Sequence, residues 1–249
     1  MRSVVVALTG PSGAGKSTVV RALAREPGWV ALEEAFYRLR PRPSLRFRSQ
    51  RGLLALERRL LAEEGRRFRE ARELARLGRT VVADTSFLDP ATYTAGLLVL
   101  RLASADTFAA TIDAAERQAR AGRLGVPDLT VRLSVPPATR RRRTELDPEG
   151  HPRAFRARHE AVGRVETELL VPALAAALPG RVRIVRADRP AQEVASKVRD
   201  LATRVRPLRE PSAAARRVLE ALVRLPTVRA ASLASGNLKR RTLPPRPPR

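Results

Sequence analysis

The chain has 249 residues, with 49 Lys and Arg against 25 Asp and Glu and a formal net charge of +24. That length suits one α/β domain, alone or with an appendage, and 43% apolar residues suffice for a sizeable core. The absence of cysteine excludes a disulfide framework, a thiolate zinc site and a cysteine nucleophile, and no apolar run approaches the ~20 residues of a membrane span.

Residues 3–9, SVVVALT, are apolar and β-branched and end at Gly10, which predicts a buried parallel strand. The run is too short for a signal-peptide core and glycines follow it, so a cytoplasmic location is expected. Helical spacing extends from Lys16 to about Arg25, where Pro27 and Gly28 break it. Residues 29–33, WVALE, read as a second strand. Residues 38–51 hold six arginines, two prolines and no acid, and predict an exposed connection. From about Ser49 to Gly78 apolar residues recur at helical spacing, with Gly65 expected to separate two helices and Gly78 to stop the second. Residues 80–84, TVVAD, form a third strand ending in Asp84. Helices are expected at about 91–103 and 106–121, and a fourth strand at 128–135, DLTVRLSV. Pro136-Pro137 and the Arg140–Arg143 run open another helical segment. The polar stretch TELDPEGHPR reads as a mobile loop, a long helix spans about 154–178, residues 181–186 form a fifth strand, and a helix closes the unit at about 190–205.

Strands alternating with helices imply a parallel sheet covered on both faces, with all five strands inside residues 1–206. Residues 207–249 differ. They hold 7 of the 20 prolines, ten basic and two acidic residues, one helix at about 212–224 and a PPRPPR end. They read as a basic Pro/Arg-rich extension, partly helical and then disordered. Only Lys16, Lys197 and Lys239 are lysines among the 49 basic residues, so the excess is arginine bias as much as a sign of a polyanion partner. Nine aromatic residues leave few platforms on which single-stranded nucleic acid could stack.

Gly10-Pro11-Ser12-Gly13-Ala14-Gly15-Lys16-Ser17 is GxxxxGKS, the P-loop, preceded by a strand and followed by a helix as its physics requires. Glycines let backbone N–H groups converge on phosphate oxygens, and the helix presents its N-terminal dipole to the anion. Lys16 is expected to reach the β/γ-phosphates and Ser17 to place its hydroxyl on Mg²⁺, with Thr18 following in the same turn. Residues 10–18 therefore predict ATP binding. His151 and His159, eight apart, have poor metal-ligand spacing.

From Pro127, PDLTVRLSVPPATRRRR resembles the PDLTLYLDVPPE…R segment of thymidylate kinases, and VRIVRADRPAQEVASKVRDL resembles their closing strand and helix. The resemblance covers about residues 1–206 and extends to the wider group of P-loop nucleoside and nucleotide kinases. It implies the three-layer P-loop fold with a helical lid, ATP and Mg²⁺ as cofactors, and a homodimer. It implies that Asp84 acts near Mg²⁺ and the acceptor, and that Arg143, with Arg140 on the same helical face, stabilises the transferring phosphoryl group. Residues 187–190 fall beside the adenine. Glu33 or Glu34 matches the acceptor-side carboxylate of deoxynucleoside kinases, with Glu34 preferred, and Gln50 weakly matches a base-reading glutamine. Asp89 and Tyr93 fall in a pattern of related small-molecule kinases, while Phe87 and Trp29 read as core.

Two departures bear on the acceptor. The family's arginine after the strand-end acid is Thr85 here, and a lid arginine is Pro148. Both changes remove a cation that would grip an acceptor phosphate, so a nucleoside-like hydroxyl fits better than thymidylate. The sequence thus predicts an ATP-dependent phosphotransferase that transfers the γ-phosphoryl group to a hydroxyl or phosphate of a nucleoside- or nucleotide-like acceptor. A nucleic-acid-associated ATPase using the basic tail is the second reading.

Overall fold

The computed structural model describes residues 3–44, 49–145 and 153–238. The five β-branched runs become β1 (Val5–Thr9), β2 (Trp29–Leu32), β3 (Thr80–Asp84), β4 (Leu129–Ser134) and β5 (Val182–Arg186). They form one all-parallel sheet in the order β2-β3-β1-β4-β5. The helices in chain order are α1 (Lys16–Leu23), α2 (Ala35–Arg38), α3 (Gln50–Arg76), α4 (Asp89–Val99), α5 (Ala105–Arg120), α6 (Pro137–Glu145), α7 (Arg153–Val165), α8 (Val171–Ala177), α9 (Ala191–Thr203), α10 (Pro211–Arg224) and α11 (Pro226–Leu238). Among the described residues no helix is long and apolar enough to cross a membrane.

The alternation of β1 builds the three layers. Val5 and Ala7 pack with α3, α4, α5 and α10, whereas Val4, Val6 and Leu8 pack with α1 and α9. With both faces covered, the central strands are apolar throughout, except at the positions that serve the site.

Three expectations change. First, α3 runs unbroken through Gly65. The glycine permits close packing rather than a break: a Cβ there would stand 2.5 Å from Gln118 Oε1 of α5 and 3.2 Å from the Arg123 carbonyl oxygen. Second, the long helix predicted at 154–178 contains a π-helical turn, Glu166–Leu170, between α7 and α8. Arg132, buried in the middle of β4, reaches this segment: it donates to Glu166 at 2.9 Å, to the Gly163 carbonyl at 3.1 Å and to Thr167 Oγ1 at 2.7 Å.

Third, the chain after 206 is not peripheral. Ala214, Ala215, Val218, Leu219 and Leu222 of α10 are buried in the core, and Val228 of α11 joins them. The entry to α10 is fastened by Asp128, whose carboxylate accepts from Leu208 N at 2.6 Å and Val5 N at 2.8 Å and pairs with Arg72 at 3.1 Å. The aspartate of the PDLT segment is therefore a buried staple between β1, α3 and the C-terminal helices. The final PPRPPR lies outside the described residues.

Candidate active site

The register Leu8↔Asp84 sets the end of β3 beside the start of the P-loop. Gly10 adopts φ +146°, and a Cβ there would lie 2.9 Å from the Leu133 carbonyl oxygen, so only glycine lets the chain leave β1 at this point. Lys16 Nζ donates to the Gly10 carbonyl at 3.1 Å, folding the lysine back over the loop. Ser17, in the first turn of α1, donates from Oγ to Asp84 Oδ2 at 2.6 Å. Asp84 Oδ1 is buried without a hydrogen-bond partner. A hydroxyl and a carboxylate with an unused oxygen form a hard donor set that fits Mg²⁺, an ion that takes few protein ligands and completes its shell with water and phosphate. Among the described residues no cluster of three His, Cys, Asp or Glu offers a metal site.

A cavity of about 460 Å³ continues from the P-loop. Residues 10–13 and 15–18 line it, while Ala14 is buried in the core and its N–H is spent on the Pro11 carbonyl. Arg143 lines the cavity and donates from Nη2 to the Ala187 carbonyl at 3.0 Å, which links α6 to the loop after β5. Arg140 does not line it. Its guanidinium pairs with Glu160 of α7 at 2.7 Å and its stem presses on the P-loop, where a Cβ on Gly13 would meet Arg140 Cγ at 3.1 Å. Arg140 thus seats α6 and α7 on the loop.

Away from the P-loop the cavity is lined by several acids, with Arg132 and Arg158 among them. Glu34 lines it from the start of α2, whereas Glu33 is exposed on the other side of the backbone. Asp89 lines it from the first turn of α4; burial, followed by Glu166, Glu34 and Glu64, holds its carboxyl well above the usual carboxylate range, against Lys16. Glu64 is pushed up to about 7 by burial, with Arg67 opposing and Glu34 and Glu63 adding to the rise. Glu57 is pushed up to about 8 by burial alone. Tyr93 stacks on His159 at 5.2 Å between centroids.

Gln50 lies elsewhere. Its amide donates to the Leu102 carbonyl and its Oε1 accepts from Ser104 N and Thr107 Oγ1, which ties the start of α3 to the start of α5. Phe87 is core, edge-on to Phe68, and Trp29 is core as expected. Thr85 adopts φ +68°, a left-handed backbone that a non-glycine residue enters at a cost. The nearby Arg67 is fully buried, donating to Glu64 and to the Asp84 carbonyl oxygen, the latter at 2.6 Å. Pro148 and His151 lie outside the described residues.

Glu57, Glu64 and Arg132 were missed by sequence reasoning, though they left a signal. Glu57 and Glu64 stand on the stripe Leu53, Leu61, Phe68 and Ala71, where the periodicity of α3 calls for apolar side chains. Arg132 interrupts an apolar buried strand.

Residues 5–122 match the model of a family described as an AAA domain. No curated protein matches the sequence. Among solved structures, the deoxyadenosine kinase from M. mycoides with bound dATP is similar at a TM-score of 0.59 and 14% identity, over 80% of this chain and 98% of that chain. The same enzyme with the products dCMP and a flexible dCDP gives 0.59 and 15% over the same shares. At these identities the likeness is one of fold: a five-stranded parallel sheet between helical layers, entered through a P-loop.

Proposed function

We propose that the protein is an ATP-dependent kinase that transfers the γ-phosphoryl group to a hydroxyl of a nucleoside-like acceptor. The observation that carries this reading is the division of a continuous cavity. One end is the P-loop with Lys16 and Arg143, and the other is lined by Glu34, Glu57, Glu64 and Asp89. Such a cavity suits a polyanion at the first end and a hydroxyl-bearing acceptor at the second, where carboxyl groups raised by burial offer hydrogen bonds rather than a cationic grip for a phosphate.

The P-loop N–H groups, Lys16 and Arg143 bind and orient the triphosphate. Ser17 and Asp84 would hold Mg²⁺, which when bound neutralises charge on the phosphate oxygens. Glu34 orients the acceptor hydroxyl and takes its proton as it attacks. Arg143, tethered to the loop after β5, moves with α6 and excludes water from the phosphates, which limits idle hydrolysis.

The test is ADP release from ATP-Mg²⁺ with a panel of nucleosides and nucleoside monophosphates, read against water. Nucleosides are expected to stimulate release and monophosphates are not. Lys16→Ala is expected to lower turnover by at least about 100-fold, the scale of a lost electrostatic stabiliser. Release no greater than in water with every nucleoside, or full turnover in Lys16→Ala, overturns the reading.

A further inference from the structure

Glu57 is a buried group in the cavity that phosphoryl transfer leaves unused. Its side chain lines the acceptor end, the residue is 1% exposed, and Oε2 has no hydrogen-bond partner. It occupies a position in the core-facing stripe of α3 where leucine would pack at no electrostatic cost. Tyr93 of α4 interacts electrostatically with Glu57, and the cavity wall they share also holds Glu64 of α3, Asp89 of α4 and Arg158 and His159 of α7. Arg158 hydrogen-bonds Tyr93, and among the described residues no cation offsets the burial of Glu57. Phe36, Tyr37 and Tyr93 also line the cavity; the Tyr37 ring already carries the Arg42 guanidinium at 5.1 Å and Tyr93 lies against His159. A neutral base can pair with the protonated carboxyl, an anionic one meets a wall of acids, and a cationic base is the partner that pairs with the ionised form of Glu57 and is favoured by the acids around it.

We infer that the acceptor is a nucleoside-like molecule whose base carries a positive charge, and that Glu57 is the residue that receives this charge. The hydroxyl to be phosphorylated rests on the kinase reading, whereas the charge preference rests on Glu57 and the wall around it. Pairing with a cation favours the ionised carboxylate. At pH 7 the empty site holds Glu57 largely protonated, so binding of a cationic base expels a proton.

The experiment compares methylated nucleosides of equal bulk and different charge. 1-Methyladenosine and 3-methylcytidine are cationic at pH 7, whereas N6-methyladenosine and 5-methylcytidine are neutral. With the full chain and ATP-Mg²⁺, the cationic member of each pair is expected to show kcat/KM at least about tenfold above its neutral isomer. Glu57→Gln, which keeps shape and removes only the ionisable proton, is expected to bring the isomers within about threefold. Calorimetry in buffers of different ionisation enthalpy is expected to show roughly one proton released per cationic ligand bound, and none in Glu57→Gln. Neutral isomers that react or bind as well as the cationic ones overturn the inference, as does a preference that survives in Glu57→Gln or the binding of no cationic member. ADP release with neutral nucleosides alone overturns the inference and leaves the kinase standing. A cation preference in binding without any ADP release above water does the reverse. Glu57→Met is a second variant: it fills the same space without a polar atom and is expected to fold and to lose the preference equally.

Discussion

Asp84 and Glu57 are both buried carboxylates with an unpartnered oxygen, but they differ in what holds them. Asp84 is fixed by the Ser17 hydroxyl at 2.6 Å at the start of the P-loop helix, whereas the Glu57 carboxyl is raised by burial. The consequence is a pH dependence of stability. A carboxyl raised from 4.5 to about 8 keeps its proton in the folded chain and loses it in the unfolded one. Its contribution is therefore fully present below about pH 4.5 and is lost as pH rises through about 8, at up to ~1.4 kcal/mol per pH unit. Glu64, raised to about 7, adds a parallel loss that ends lower. Glu57→Gln is expected to flatten the decline between pH 5 and pH 8 in urea unfolding series, and an unchanged slope in the variant contradicts this assignment. The P-loop was legible in the sequence because its chemistry is contiguous. Glu34 was separable from Glu33 only by the turn of the backbone after β2. Glu57 was legible only as a misfit, a charge standing where the helix period asks for leucine.

The elements follow from local sequence where one rule governs. Short β-branched runs bounded by glycine, proline or a charged residue gave all five strands, because a strand buried on both faces has little freedom to be anything else. Gly65 was misread because its low helix propensity was weighed without the tertiary contact that requires it. The π turn has no local signature, since it answers to Arg132 on a strand more than thirty residues earlier. That arginine makes a direct prediction. Its guanidinium is almost wholly buried, and removing it leaves the Glu166 carboxylate and the Gly163 carbonyl without their partner from β4. Arg132→Met is expected to lower stability by about 3 kcal/mol or more, read from the urea midpoint, because breaking a buried pair strands a charge. A loss under about 1 kcal/mol contradicts the view that β4 anchors the helix over the site.

On the scale of the molecule, composition misled where packing decides. The excess of proline and arginine after residue 206 suggested an appendage, yet the apolar face of α10 closes the core formed by α3, α4 and α5. A chain cut after residue 206 loses that face and leaves the Asp128 carboxylate short of Leu208. It is expected to unfold without a cooperative transition in thermal melts followed by circular dichroism, in contrast to the full chain, and a sharp melt within a few degrees of the full chain would refute the role of α10. The same contact sets an order of events during synthesis. The phosphate-binding loop leaves the ribosome well before the helix that completes the layer behind it. A nascent chain therefore carries the means to hold a nucleotide well before it has a finished core to support it. Premature termination anywhere before α10 yields a fragment that chaperones and proteases can recognise by its open apolar face, so few half-made copies would persist.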